Sequence, residues 1–339
     1  MKLIKIRFIF PIFLSFLFNG ACYAHHGGEG LTGVGVAGPI ITVPAYTLPR
    51  NLKYINLLTD YTNFNTFSDQ KLMELDRRGE HVHDTSNLFI PSLSAGYGLT
   101  DNLTVGLRLP YIFRFGIRDV HDAKVGKRGN AIGIGDITLF SQYRFLKNKK
   151  YNLHAALLTG LKIPSGVKRT KGRDGEIFEA DEQPGSGSWN PLIGLALSKK
   201  LSHFSLDTNS LYKFATNGSQ GSNLGDSAYY NFSISYRPNN NWIYNLNGNS
   251  KNTHSKDKVS LDLILEANGM WSQKPKTFHG FIDENHGGTI IYLSPGVRVS
   301  YDKKWIGYVS AGLPTIHDLN GRQRAPHIRL VGGITRVFK

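Results

Sequence analysis

Cysteine is almost missing from the sequence. Of 339 residues only Cys22 is one, so thiols can build neither a disulfide framework nor a structural zinc cluster. Internal apolar runs of the roughly 20 residues needed for a membrane helix are also lacking. The one comparable stretch lies at the extreme amino terminus. Charged residues make up only 19% of the chain, against 40% hydrophobic and 12% aromatic, which is too apolar for a disordered polymer. Catalytic signatures are absent too. Gly185-Ser186-Gly187-Ser188-Trp189 has no closing glycine for a nucleophile elbow. Gly33-Val34-Gly35-Val36 and Gly133-Ile134-Gly135 precede no helical pattern, which a dinucleotide loop requires.

What is present begins with an export signal. Lys2, Lys5 and Arg7 precede an apolar stretch from Phe8 to Phe18, and Cys22-Tyr23-Ala24 offers a small-residue cleavage site. Residues 1–24 therefore read as a signal peptide, leaving a mature chain that starts His25-His26-Gly27-Gly28. The competing reading, a lipoprotein acylated at Cys22, has Asn19 where such sites usually carry Leu. Formal net charge is +15, and three of those charges leave with the signal. Export argues against nucleic acid as a partner and for anionic lipid head groups or anionic solutes. Simple solvation of the loops by Lys and Arg accounts for the excess equally well.

From Leu52 onward, apolar residues recur at every second position. Leu103, Val105, Leu107, Leu109, Tyr111, Phe113 and Phe115 alternate with Thr104, Gly106, Arg108 and Arg114, and the same period recurs in Tyr151–Ile163, Phe204–Phe214 and Val259–Trp271. Period two means strands with one apolar and one polar face. Twelve segments qualify: 52–64, 88–99, 103–115, 134–146, 151–163, 189–200, 203–215, 226–237, 259–271, 288–301, 304–314 and 327–338. Short connectors (Thr100-Asp101-Asn102, Lys147–Lys150, Leu201-Ser202, Asp302-Lys303) alternate with long ones, as periplasmic turns alternate with external loops in outer-membrane barrels. Pro238–Lys258 is too long for its place in that alternation; Trp242–Leu246 within it reads as an extra short strand or an insertion. Aromatic residues gather at strand ends: Tyr97, Tyr111, Phe113, Tyr143, Phe145, Tyr151, Trp189, Tyr212, Phe214, Trp271, Tyr301 and Trp305. That is the placement of interfacial girdles. The expected fold is all-β: a transmembrane antiparallel β-barrel of about 12 strands over residues 52–339, integral to the outer membrane, following the cleaved signal peptide. A soluble β-sandwich or lipocalin-like barrel is the alternative, and it would turn its apolar face inward. The glycine-rich segment 25–51 sits inside as a plug or gate, or trails in the periplasm.

Several segments carry a family likeness together. They are Gly133-Ile134-Gly135-Asp136-Ile137-Thr138-Leu139 with Tyr143-Arg144-Phe145, Gly160-Leu161-Lys162-Ile163-Pro164-Ser165-Gly166, and Gln183-Pro184-Gly185-Ser186-Gly187-Ser188-Trp189. Tyr292-Leu293-Ser294-Pro295-Gly296-Val297-Arg298 and Gly312-Leu313-Pro314 followed by Asp318-Leu319-Asn320-Gly321 complete the set. From about Leu48 to Phe338 the chain resembles the family named for the meta-pathway of phenol degradation. The resemblance implies an outer-membrane barrel transporter and uptake of aromatic compounds. The Pro238–Lys258 insertion departs from it, and Phe338 is penultimate where barrels commonly end on an aromatic read by the insertion machinery. The His-x-Ser-Asn-Gly signature of outer-membrane phospholipase is absent, and His83-Asp84-Thr85-Ser86-Asn87 has the wrong spacing, so no enzyme and no cofactor is expected.

Candidate functional residues follow from the polar faces. Turned inward, they place Arg108, Arg114, Arg144, Lys162, Lys213, Arg237, Arg298 and Arg329 against Asp60, Asp136, Asp207, Asp262 and Glu266. Such a lumen is net basic and favours anions, unless the charges pair across it and only stiffen the barrel. The expected activity is passive diffusion of a small-molecule solute, aromatic or anionic. The expected partners are outer-membrane lipids, lipopolysaccharide and the barrel insertion machinery. A second reading is a non-conducting surface barrel that binds metal: His25 and His26 at a new amino terminus are good ligands for Cu(II) or Zn(II), and His81, His83, His121, His279, His286 and His317 fall in expected external loops. Solvated loop histidines are the plain alternative.

Overall fold

A computed structural model of the chain describes residues 38–80, 82–121, 124–238, 259–277 and 280–339. Its strands are β1 (Lys53–Phe64), β2 (Asn87–Thr100), β3 (Leu103–His121), β4 (Lys124–Ile134), β5 (Ile137–Asn148), β6 (Leu153–Ile163), β7 (Asn190–Leu201), β8 (Phe204–Lys213), β9 (Ser227–Tyr236), β10 (Val259–Ser272), β11 (Gly288–Tyr301), β12 (Trp305–Leu319) and β13 (Pro326–Phe338). Among the described residues one α-helix, α1 (Asp69–Arg77), lies between β1 and β2. Neighbouring strands run antiparallel, and β13 returns to β1 in a register from Lys53↔Phe338 to Asn63↔Ile328, so the sheet closes on itself without an edge.

Closure involves twelve positions, not thirteen, because β4 and β5 share one. The outer part of β3 pairs with β4 (Tyr111↔Ile134) and its inner part with β5 (Arg108↔Thr138), so β4 and β5 are two halves of one long strand, broken at Gly135-Asp136. The sequence pattern places a connector over 116–133; instead β3 and β4 continue outward as a hairpin beyond the barrel wall. The alternation is hidden there by glycine. Gly116 (φ 66°) and Gly129 (φ 103°) take left-handed conformations open to few other residues, and the register shifts between Arg114 and Ile117. Elsewhere the expected strands fall where period two puts them. The segment Trp242–Leu246 lies outside the described residues.

Burial is inside-out relative to a soluble sheet. In β1, Tyr54, Asn56, Leu58, Asp60, Thr62 and Phe64 are buried, while Ile55 and Leu57 are about half exposed. The exposed set continues round the ring through Leu93, Leu107, Leu139, Ile193, Leu195, Leu197, Phe232, Leu263, Leu265, Val297, Val309 and Ile334. The buried face holds Ser92, Ser94, Ser198, Asn209, Ser233, Asn268, Ser294 and Ser310 besides charged residues. A soluble sandwich or lipocalin-like barrel would leave this leucine band in water, at a cost of about 25 cal/mol for each Å². In a bilayer the same band is the stable surface. Aromatic residues fringe it at both ends: Tyr143, Phe145, Tyr151, Phe204, Tyr301 and Trp305 by the short turns, Tyr111, Trp189, Phe214 and Trp271 by the long loops. The protein is thus an integral outer-membrane β-barrel.

The two ends differ. At the periplasmic end Asp302 (φ 50°) and Lys303 (φ 56°) make a left-handed turn between β11 and β12. The external loops are longer and internally packed. Helix α1, capped by Ser68 accepting from the Lys71 amide at 3.2 Å, sets Leu72 and Leu75 with Phe67 against Val82, Val120 and Val125.

Candidate functional site

The barrel interior is the site, and a non-barrel stretch of chain occupies it. Gly38–Leu52 crosses the lumen before entering β1, and from Gly38 to Leu48 it is largely buried among inward-facing side chains, while Arg50 and Asn51 are exposed. Ile40, Ile41, Leu48 and Leu52 cluster with Tyr54, Leu58, Phe140, Ile264, Ile306, Tyr308, Val331 and Val337. Val43 and Ala45 cluster with Ala156, Leu158, Leu192, Ala196, Leu211 and Tyr229 on the opposite wall. An extended segment has no partner strand for its amides, so the wall supplies acceptors. Glu266 accepts from the Ile41 amide at 3.0 and 3.1 Å and from the Thr42 amide at 2.8 Å. Asn209 accepts from Val43, Ser198 from Ala45 and Thr104 from Leu48, each at 2.8 Å. Gln142 donates to the Pro44 carbonyl at 2.6 Å and the Tyr46 carbonyl at 3.2 Å, and Arg298 donates to the Gly38 carbonyl. The motif Ser294-Pro295-Gly296-Val297-Arg298 is the seat of this segment: a Cβ on Gly296 would come within 2.6 Å of Ile40 Cδ1.

The inward-facing charges lie on the inner wall, buried apart from the partly buried Arg329, and meet partners there. Arg329 forks onto Asp60 at 3.0 and 2.6 Å, and Arg237 onto Asp262, with Nη2 at 2.5 Å. Lys162 lies 3.5 Å from Asp136. Asp207 accepts from Ser198 and, at 2.8 Å, from Ser205. Arg108 donates to Ser92 at 3.1 Å, Arg114 to the Asp181 carbonyl at 3.1 Å, and Arg144 to the Asp101 carbonyl and Asn102 at 2.7 and 2.9 Å. Lys213 faces inward at the outer end of β8. These residues do not converge on one point. Arg144 braces the periplasmic turn, Glu266 and Arg298 hold the lumen segment, and Arg114, Asp136, Lys162 and Lys213 lie toward the external end.

Asp136 forms a separate knot. Its Oδ1 accepts from the Gly166 amide at 2.9 Å, and its Oδ2 from the Ser186 amide and hydroxyl at 2.8 and 2.5 Å. Gly166 and Gly185 touch backbone to backbone, with no room for a Cβ on either. Three of the sequence motifs, widely separated along the chain, thus meet at the β4–β5 break and fold the loop between β6 and β7 over the mouth.

That loop meets two others. His83, from the β1–β2 loop, has Nε2 3.2 Å from Glu179 and Nδ1 3.6 Å from Glu182. His286, from the β10–β11 loop, has Nε2 3.2 Å from Asp181 and Nδ1 2.5 Å from Asp283. Burial on its own would drive both imidazoles toward neutrality, but the surrounding carboxylates outweigh it. His83 is raised to about 9 by Glu179, Glu182 and Asp181, and His286 to about 10 by Asp181 and Asp283. Burial raises Glu182 to about 7, against the pull of His83. The three loops spring from evenly spaced points on the ring, so their meeting point covers the mouth.

At these two positions the histidines are held by carboxylates and not left to solvent: His286 is buried and His83 partly buried, and among the described residues no group of three or more His, Cys, Asp or Glu could hold a metal ion. His317 lies on β12, opposite Ile290, not in a loop. His25, His26, His81, His279 and the side chain of His121 lie outside the described residues. The loop carboxylates Glu179, Asp181, Glu182 and Asp283 carry no period or motif to mark them in the sequence.

The family named Putative MetA-pathway of phenol degradation matches residues 112–326, well over half the chain and including the Asp136 knot and the Arg298 seat. The chain belongs to this family. The chain's structural likeness is to outer-membrane barrels. An outer membrane channel from Pseudomonas putida F1 superposes with a TM-score of 0.58 at 16% identity, over 87% of this chain and 98% of that one, which shows a shared fold. The KdgM porin (TM-score 0.40, 11% identity, 84% and 99% covered) and the CymD monoaromatic hydrocarbon channel (0.37, 9%, 86% and 88%) are looser matches. No curated protein matches the sequence.

Proposed function

We propose that this barrel is a gated channel for passive entry of small solutes, with residues 38–50 as its inner gate and the joined external loops as its outer one. The observation that carries this reading is the way the lumen segment is held: by hydrogen bonds and apolar contacts from a polar wall, with no strand pairing to fix it. A twelve-position ring is intermediate between eight-stranded barrels that side chains fill and sixteen-stranded ones with open channels. A single extended segment is the size of filler that such a lumen leaves room for.

The solute class follows from the wall. Asp60, Asp262 and Asp136 meet Arg329, Arg237 and Lys162, while Arg114, Arg144 and Arg298 donate to backbone carbonyls, and inward bases outnumber inward acids, so the wall is net basic. A path past them favours anions, and aromatic acids combine that charge with the aromatic character suggested by the family name. The test is ion selectivity of the processed protein in planar bilayers. Replacing Arg144 and Arg298 together with Glu is expected to move the reversal potential toward cations. An unchanged potential would remove both residues from the path, and a silent bilayer with inserted wild-type protein would favour the non-conducting alternative.

A further inference from the structure

On the membrane face of the barrel, a groove of about 1070 Å³ crosses β1, β2, β3, β5 and β6. It exists because small residues coincide on both sides of the wall. Outward, Ala95, Ser141 and Thr159 stand where the neighbouring rows carry Leu or Tyr: Ala95 pairs with Leu107, and Ser141 pairs with Val105 and Thr159. Inward, Gly96, Gly106 and Gly160 let the wall draw in: a Cβ on Gly96 would meet the Tyr54 ring at 2.2 Å, and one on Gly106 the Phe140 ring at 2.4 Å. The groove floor is therefore backbone, sealed from within by Tyr54 and Phe140, and its sides are Ile55, Leu107, Leu139 and Leu161. Its two hydroxyls share one hydrogen bond, Ser141 Oγ and Thr159 Oγ1 lying 2.7 Å apart, which lowers the cost of facing hydrocarbon.

Position and charge identify the occupant. The groove opens at the periplasmic rim, where Lys53 begins β1 opposite Phe338 and holds its ammonium 5.9 Å from the Tyr97 ring. This half of the barrel faces the periplasmic leaflet, where the lipids are glycerophospholipids and not lipopolysaccharide. We infer that the groove seats one acyl chain of an anionic glycerophospholipid, with its phosphate at Lys53. A cation at the head-group level favours an anionic head, and a concave apolar trough favours a flexible chain over the convex wall of a second barrel.

The test uses the processed, full-length protein in nanodiscs of phosphatidylglycerol and phosphatidylethanolamine, released into the gas phase for native mass spectrometry. The wild type is expected to retain one phospholipid, enriched in phosphatidylglycerol. Ser141→Leu with Thr159→Leu fills the trough with side chains that suit a lipid-facing surface. It should cut the retained lipid on the order of tenfold, the effect of a few methylenes losing their contacts. Lys53→Gln should keep the adduct and lose about fivefold of the preference for phosphatidylglycerol. Heat-modifiable gel migration confirms that each variant is a folded barrel. Equal adducts in wild type and the filled variant would overturn the assignment. So would a dimer mass in the wild type that filling abolishes, which would make the occupant a second copy.

Discussion

Two structures lie across this barrel, one in the lumen and one among the external loops, and they are held by different physics. The inner segment, Gly38–Arg50, is fixed by amide hydrogen bonds to Glu266, Asn209, Ser198 and Thr104 and by apolar clusters on both walls. The outer clasp is held by ion pairs of His83 and His286 with Glu179, Glu182, Asp181 and Asp283. Alkali discharges paired imidazoliums but changes neither an amide donor nor an ionised carboxylate acceptor. The contrast means that raising the pH addresses the external end and leaves the inner segment in place.

The largest effect on this contrast is expected from deleting residues 38–47, which removes the inner closure and spares β1. Single-channel conductance should rise several-fold while the external clasp keeps its pH response. If conductance is unchanged, the outer loops alone limit flow.

Next comes Glu266→Gln, which swaps a carboxylate that collects amide donors for an amide with one acceptor. Loss of charge-assisted bonds is worth about 2 kcal/mol, or roughly a thirtyfold gain in open time of the inner segment. Stable closure in the variant would mean that the apolar clusters suffice.

The outer clasp is the third target. A histidine whose pKa is raised from the ordinary 6.5 stabilises the folded form fully below that value, and the benefit is lost as pH rises through the folded value. For His83 and His286 that window closes at about 9 and about 10. Glu182, raised to about 7, works in the same direction, because its buried carboxylate costs more once ionised. Loop cleavage by added protease in the 164–189 segment should therefore be slow at pH 7 and fast above pH 10. His286→Ala should give fast cleavage already at pH 7, since breaking a buried pair costs about 3 kcal/mol. Cleavage independent of pH in the wild type would show that the clasp rests on packing.

Much of the wall was legible in advance, and the reason is geometric. A strand spanning lipid must alternate, so Leu103, Val105 and Leu107 identify their own face and assign Arg108 and Arg114 to the other. The stretch from Gly116 to Gly133 was not legible, because left-handed glycines and a register shift erase the period while the hydrogen bonds continue. Gly38–Leu52 carries no period at all. Its prolines, Pro39, Pro44 and Pro49, prevent a regular strand, and only the acceptors on β3, β7, β8 and β10 reveal where it lies.

The sequence by itself determined the compartment, the all-β class, the number of wall positions and which side chains face lipid, because each depends on local charge or on period two. Only the tertiary structure decided what the inward charges do. Asp136, Arg144 and Glu266 look equivalent in the strand pattern, yet one ties down an external loop, one braces a periplasmic turn and one holds a segment 224 residues away. Those roles arise when ring closure brings distant strands together, and no local pattern encodes which partner a buried charge will meet.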